Sequence, residues 1–293
     1  VPAKRALKFA CGATLAFALI EFLGGQFARS LALIADAAHL LTDAGALGLA
    51  FFAAWMAEQP ATRKMSYGFH RVEILAALIN GAGLVTIAVF VVTEAFERFA
   101  SSPSVNFGLM VGLGLAGLLF NLFVATFLRR HAHESMNVRS ALYHVLADLL
   151  GSAGVILAGV VIWKTGWTYA DPVVSIGIAC LIIWGAWKIL RDVVTVLLEA
   201  TPARVDMERL ETRLLSLPGV EEICDLHVWT ISSGKEALSA HLGVSPEADP
   251  NTLLRKVNTL LSDEFGIAHT TIQFEKVAEK PHKPHDTHRP HEF

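Results

Sequence analysis

The chain has 293 residues, 53% of them hydrophobic and only 17% charged, with a formal net charge of −3. Soluble domains carry about 25% charged residues, so much of this chain must face lipid. So small a charge gives no basic surface for nucleic acid. The three scattered cysteines, Cys11, Cys180 and Cys224, with no CxxC spacing, exclude a disulfide framework.

A membrane-crossing helix needs about 20 largely apolar residues. Six stretches qualify: 6–27, 33–57, 72–96, 107–128, 138–163 and 172–197. Lys4, Arg5 and Lys8 ahead of the first one mimic a signal peptide, but no cleavage site follows, so it reads as a membrane helix. Gln59–Pro60 and the segment around Pro103 break the series. Basic residues gather on one side of the membrane: Lys4, Arg5, Lys8, Arg63, Lys64, Arg71, Arg129, Arg130, Arg139, Lys188 and Arg191. The other side holds Arg29, Arg98 and Lys164, so both termini are expected in the cytoplasm.

The second and fifth stretches each contain a histidine and an aspartate four residues apart: His39 with Asp43, and His144 with Asp148. Four residues is about one helical turn, so each pair shares a face. One such histidine is readily explained as a hydrogen-bonded structural residue. Two repeats of the pair are not, because they bring buried carboxylates into a medium that offers few partners. Facing each other, the pairs supply two imidazoles and two carboxylates, a tetrahedral shell suited to Zn²⁺, with Co²⁺ and Cd²⁺ also plausible. Metal binds the neutral imidazole and the ionised carboxylate, so loading expels protons and protonation ejects metal. Asp36 lies on the same face as His39 and reads either as an ion stop at the mouth or as a helix-terminal carboxylate. Asn80 and Asn121 read as hydrogen-bonding supports or as helix–helix glue, and Gly112, Gly114, Gly117, Gly151 and Gly154 as close-packing positions.

From about residue 203 the composition becomes that of an amphipathic, soluble domain. MERLETRLLSL reads as a helix, VEEICDLHVWTI and KEALSAHLGV as strands around a Ser-Ser-Gly turn. Asp249 caps a helix opened by Pro250, and HTTIQFEKV forms a last strand. The order αββαβ predicts a small α+β, ferredoxin-like layer. The domains are therefore expected at 1–199 (six transmembrane helices), 203–277 (cytoplasmic metal binding and dimerisation) and 278–293 (a disordered histidine-rich tail).

SLALIADAAHLLTDAGALG, YGFHRVEILAALIN, HVLADLLGS and DLHVWTISSGKEALSAHL together resemble the cation diffusion facilitators. The likeness is greatest to the zinc-type branch, with bacterial cobalt–zinc–cadmium resistance transporters and animal zinc transporters, and spans roughly residues 10–276. It implies a homodimeric, proton-coupled antiporter in a lipid membrane, moving divalent metal out of the cytoplasm, with Zn²⁺ also bound by the cytoplasmic domain. In relatives, positions matching Cys224 or His227, His241 and Glu275 ligate metal, sometimes with the position of His269. This chain departs from some bacterial relatives at Cys224 and Gln273, where they carry histidine. His70 matches an interfacial metal ligand of the animal proteins and reads equally as a helix-start histidine near headgroups. Arg71 and Glu199 match a charge interlock. The short loops suggest a bacterial inner membrane.

The chain has no HExxH motif, and a four-ligand site leaves no position for a reactive water. It is expected to be a secondary active transporter and no enzyme. The alternative is a membrane-anchored metal sensor without net transport.

Overall fold

The computed structural model describes residues 2–101, 104–129, 136–232 and 234–276; the side chains of 2–10, 47, 50, 51, 54, 128, 136–144, 146 and 147 lie outside that description. His131, His133 and the histidine-rich stretch 278–293 fall outside the described residues.

Six long helices come first: α1 (Pro2–Ala28), α2 (Leu31–Ala57), α3 (Val72–Ser101), α4 (Phe107–Arg129), α5 (Met136–Thr165) and α6 (Ala170–Leu197). Their bounds enclose the six apolar stretches. Five of them, α1, α3, α4, α5 and α6, are long and apolar enough to cross a membrane among the described residues. α2 is 27 residues long and stands outside that count.

One core draws on all six helices, and nine of its eighteen buried residues are alanine. Lipid tails give apolar side chains little reason to leave them, so helices here associate by close backbone approach over small residues. Large apolar side chains point outward instead. Ile20, Phe27, Ile79, Phe96, Trp184 and Trp187 are each more than half exposed. That arrangement suits an apolar solvent.

A polar knot ties one end of the bundle. α1 stops where Arg29 takes a left-handed conformation, φ 52°. α2 starts at once, with its first amides unsatisfied by its own turns. Asp171 of α6, fully buried, accepts from the Leu31 amide at 2.8 Å, the Ala32 amide at 3.2 Å and the Ser30 hydroxyl at 2.5 Å. The Ser30 hydroxyl in turn accepts from the Leu33 amide at 3.3 Å. Arg98 of α3 donates to Asp171 at 3.4 Å and to the Arg29 carbonyl at 2.7 Å. A carboxylate at the positive end of a helix, facing a guanidinium, is a paired buried charge.

The chain divides into two compact units. One comprises the chain up to Trp55 together with Leu75–Arg191; the other joins Met56–Ile74 to the chain from Asp192 onward. The second unit runs α7 (Met207–Leu215), β1 (Val220–Ser232), β2 (Lys235–Val244), α8 (Pro250–Phe265) and β3 (His269–Lys276), the order αββαβ. Asp206 and Asp249 cap α7 and α8, and Gly266 closes α8 at φ 68°. β1 pairs antiparallel with β2, and β2 pairs parallel with β3 across α8. Leu210, Leu214, Val257 and Leu261 from the helices cover Val228, Ala240 and Leu242 of the sheet. Alternation along a strand then turns His241, Gln273 and Glu275 to the opposite, open face. Near the hairpin, Arg204 Nε donates to Glu236 Oε1 at 2.7 Å and Nη1 to the Phe265 carbonyl at 2.8 Å.

Asp171→Ala removes a buried partner of both Arg98 and the α2 amides, and is expected to lower stability by about 3–5 kcal/mol. Denaturant unfolding in detergent measures this; an unchanged transition would show that α2 is held elsewhere. The Arg204 hydrogen bond holds the Glu236 carboxyl below its ordinary value of 4.5. Its contribution is thus complete above that value and drains away as pH falls through the lowered one. Glu236→Gln should cost about 1–2 kcal/mol at neutral pH, reduced because Arg204 is half exposed. Melting curves of the second unit should show the cost vanish in acid, whereas a constant offset would count against the pair.

Candidate metal centre

α2 and α5 carry the donors. His39 and Asp43 stand one turn apart on α2, with His39 Nδ1 3.5 Å from Asp43 Oδ2. His39 Nε2 lies 3.8 Å from Oδ1 of Asp148 on α5. One ligand atom from each of the three lies within 4.8 Å of the others, and among the described residues no other such group occurs. Asp148 is buried, whereas His39 and Asp43 are partly exposed. Two carboxylates and an imidazole offer two negative charges and three donors, enough to neutralise and hold a divalent ion. His144 sits on α5 one turn before Asp148, on the same helix face; its side chain lies outside the described residues.

Beside this group lies a second set of polar residues. Asp36, one turn before His39, is 2% exposed and lies beyond the first turn of α2, which begins five residues earlier, so it does not cap that helix. Its Oδ2 accepts from the Ser152 hydroxyl of α5 at 3.3 Å, and Ser152 accepts from Asn121 Nδ2 of α4 at 3.4 Å. Asn121 is thus part of a chain that fixes the Asp36 carboxylate. Gly151 packs against this carboxylate, since a Cβ there would collide with Asp36 Oδ1. Gly112, by contrast, has nothing within 4 Å of such a Cβ and makes no close packing among the described residues. Glu21 of α1, fully buried, borders the same chain. Sequence reasoning missed Glu21 and Asp171. A lone carboxylate in an apolar run was the available signal for both.

In the second unit, His241 Nδ1 lies 3.6 Å from Glu275 Oε1 on the open face, and Gln273 Nε2 donates to the same oxygen at 3.0 Å. Cys224 Sγ is 3.7 Å from Glu222 Oε1, at an irregular step of β1. Burial first, then the Glu222 and Glu275 carboxylates, push the Cys224 thiol above its ordinary value, so only a cation nearby would favour the thiolate. His227, diagonal to His241 in the register of β1 and β2, lies 2.8 Å from Asp225. His269 packs edge-on against Tyr67 at 5.5 Å. His70 Nε2 lies 2.9 Å from Lys235 Nζ, a cationic neighbour that opposes a metal there. His70 and His227 both line a cavity of about 660 Å³ in this unit. Arg71 and Glu199 form an ion pair at 2.8 Å.

The profile of the cation efflux transmembrane domain matches residues 7–198, and that of the cation efflux protein cytoplasmic domain matches residues 202–277. The zinc transporter ZitB of Shigella flexneri is 41% identical over 273 residues, which cover 92% of this chain and 87% of that protein. The metal cation efflux system protein CzcD of Cupriavidus metallidurans is 38% identical over 276 residues, covering 93% and 86%. A cadmium, cobalt and zinc/H(+)-K(+) antiporter of Bacillus subtilis is 38% identical over 267 residues, covering 89% and 86%.

Gly151→Ala should drive a methyl group into a buried carboxylate that is already hydrogen-bonded. Overpacking of this kind costs about 1–3 kcal/mol, read as a lower melting temperature in detergent; a neutral effect would mean that α5 and Asp36 part easily.

Proposed function

The chain belongs to the cation efflux family, and on that premise we propose that it is a proton-coupled antiporter that exports Zn²⁺, with Co²⁺ and Cd²⁺ as further substrates, from the cytoplasm. The observation that carries the reading is the convergence of His39, Asp43 and Asp148 from two helices of an apolar bundle. His144, on the Asp148 face of α5, is the fourth ligand of a two-histidine, two-aspartate shell. The ion's charge is cancelled by the carboxylates, which lowers the cost of bringing it into the bundle. Protons compete for all four donors, so exchange of metal for protons follows from the donor chemistry. A tight site between helices suits alternating access better than a continuous channel.

α2 is the sixth span, and both termini face the cytoplasm of a bacterial inner membrane. Residues 1–199 form the transport domain, and 203–277 a ferredoxin-like cytoplasmic domain through which two copies pair. Its open sheet face holds a further Zn²⁺ site centred on His241 and Glu275, with Cys224 beside them. The positions of His227, His269 and His70 support lesser roles there, since each is engaged with Asp225, Tyr67 or Lys235. The stretch 278–293 collects zinc weakly through its histidines.

The decisive measurement is zinc uptake into proteoliposomes under an imposed pH gradient, comparing wild type with Asp43→Ala plus Asp148→Ala. The variant is expected to lose about 10- to 100-fold in uptake while remaining dimeric. Undiminished uptake by the variant would remove the site assignment. A correctly inserted wild type that binds zinc without moving it would favour the sensor.

A further inference from the structure

Glu21 is the one acidic residue of α1, sits inside the apolar bundle and is fully buried. Neither of its carboxylate oxygens has a hydrogen-bond partner among the described residues. A donor-less charged carboxylate in such a place is among the most costly groups a protein can hold. Across from it stand the oxygens of α5 and α2. The point where a Cβ at Gly117 would lie is 3.5 Å from Glu21 Oε1 and 3.2 Å from Ser152 Oγ. The absence of a side chain at Gly117 thus leaves Glu21 facing the Ser152 hydroxyl, which bonds Asp36. Phe17, stacked on Phe120 at 4.6 Å, lies 3.4 Å from the same point and walls it on one side.

We propose that Glu21, Asp36, Ser152 and Asn121 form a second cation site, separate from the His39–Asp43–Asp148 group, that takes the monovalent counter-ion of transport. This rests on the antiporter reading above. The donor set is oxygen alone: two carboxylates, a hydroxyl and an amide. Without imidazole or thiolate it does not select zinc, and it suits a proton or a hard alkali cation. Among the described residues, the titratable groups around Glu21 are Asp36 on α2 and, beyond it, Asp148 on α5, and α4 contributes Asn121 and Gly117. Asp36 therefore stands between Glu21 and a ligand of the metal group. A divalent ion on Asp148 raises the local potential and disfavours a cation at Asp36 and Glu21. By linkage, a cation there disfavours the metal equally. Mutual exclusion between adjacent sites is what exchange transport needs.

The test uses the full-length protein in proteoliposomes. Zinc uptake is driven in one arm by a pH gradient with K⁺ equal on both sides, and in another by a K⁺ gradient at equal pH. Zinc–zinc counterflow without any gradient is measured alongside. Wild type should respond in the arm that identifies the counter-ion. Glu21→Gln should lose that response about tenfold or more while keeping counterflow, its zinc affinity should fall less than that of wild type as the counter-ion is raised, and Glu21→Asp should recover part of the response. Glu21→Gln uptake that follows the gradient as wild type does would overturn the proposal. So would a parallel loss of counterflow and zinc affinity in a variant that still elutes as the wild-type species, since Glu21 would then serve the metal group. A wild type inert in both arms overturns the antiporter reading itself, and this one with it.

Discussion

Asp171 closes the first turn of a helix that begins 140 residues earlier in the chain, and the placement of every donor on α2 depends on it. The carboxylate accepts from the Leu31 and Ala32 amides and is matched by Arg98 of α3. A helix has a fixed angular step, so pinning its start sets the direction in which each later residue points. Asp36, His39 and Asp43 follow five, eight and twelve residues after Leu31, and all three are directed inward by that one anchor. Three helices are therefore bound together at a single carboxylate before any metal donor is placed.

The acidic residues of the bundle fall into two groups by how their charge is met. Asp171 faces a guanidinium and backbone amides, fixed partners that never leave. Asp43 and Asp148 face His39, whose charge depends on a proton. Asp36 accepts from a hydroxyl among the described residues. Charges answered by fixed partners are structural, and on the proposed function those beside neutral or titrating groups are the ones open to ions that come and go. The distinction is drawn within a few turns of α2 and divides the framework from the working part.

Much of this was legible in sequence, and the reasons for the failures are physical. The repeated histidine–aspartate spacing is a local signal, and local spacing survives folding because the helix imposes it. The capping of α8 by Asp249 with Pro250 was readable for the same cause. What holds Asp36 was not legible, because its hydrogen bond comes from Ser152 of α5, a contact that no local window contains. The partner of His70 was equally hidden, since Lys235 comes from another part of the chain, whereas Asp225 stands two residues from His227 on the same face of β1 and was within reach of strand alternation. Gly151 was read as a packing glycine, correctly, but the nearest group it makes room for is a carboxylate. Sequence periodicity marks which side chains are small and leaves the neighbour unnamed.

The alanine-rich core has a consequence for friction. Where Leu and Ile interdigitate, one helix can slide past another only by lifting side chains out of deep pockets, and the surface acts as a ratchet. Methyl groups make shallow corrugations. With half of its buried core residues alanine, the bundle offers its helices a smooth bearing along which small displacements meet low barriers. Rigidity is then supplied at points, such as the Asp171 knot at one end. On the proposed function, an ion held between α2 and α5 would be a removable rivet in an otherwise lubricated joint, and its arrival and departure would set how stiff the machine is.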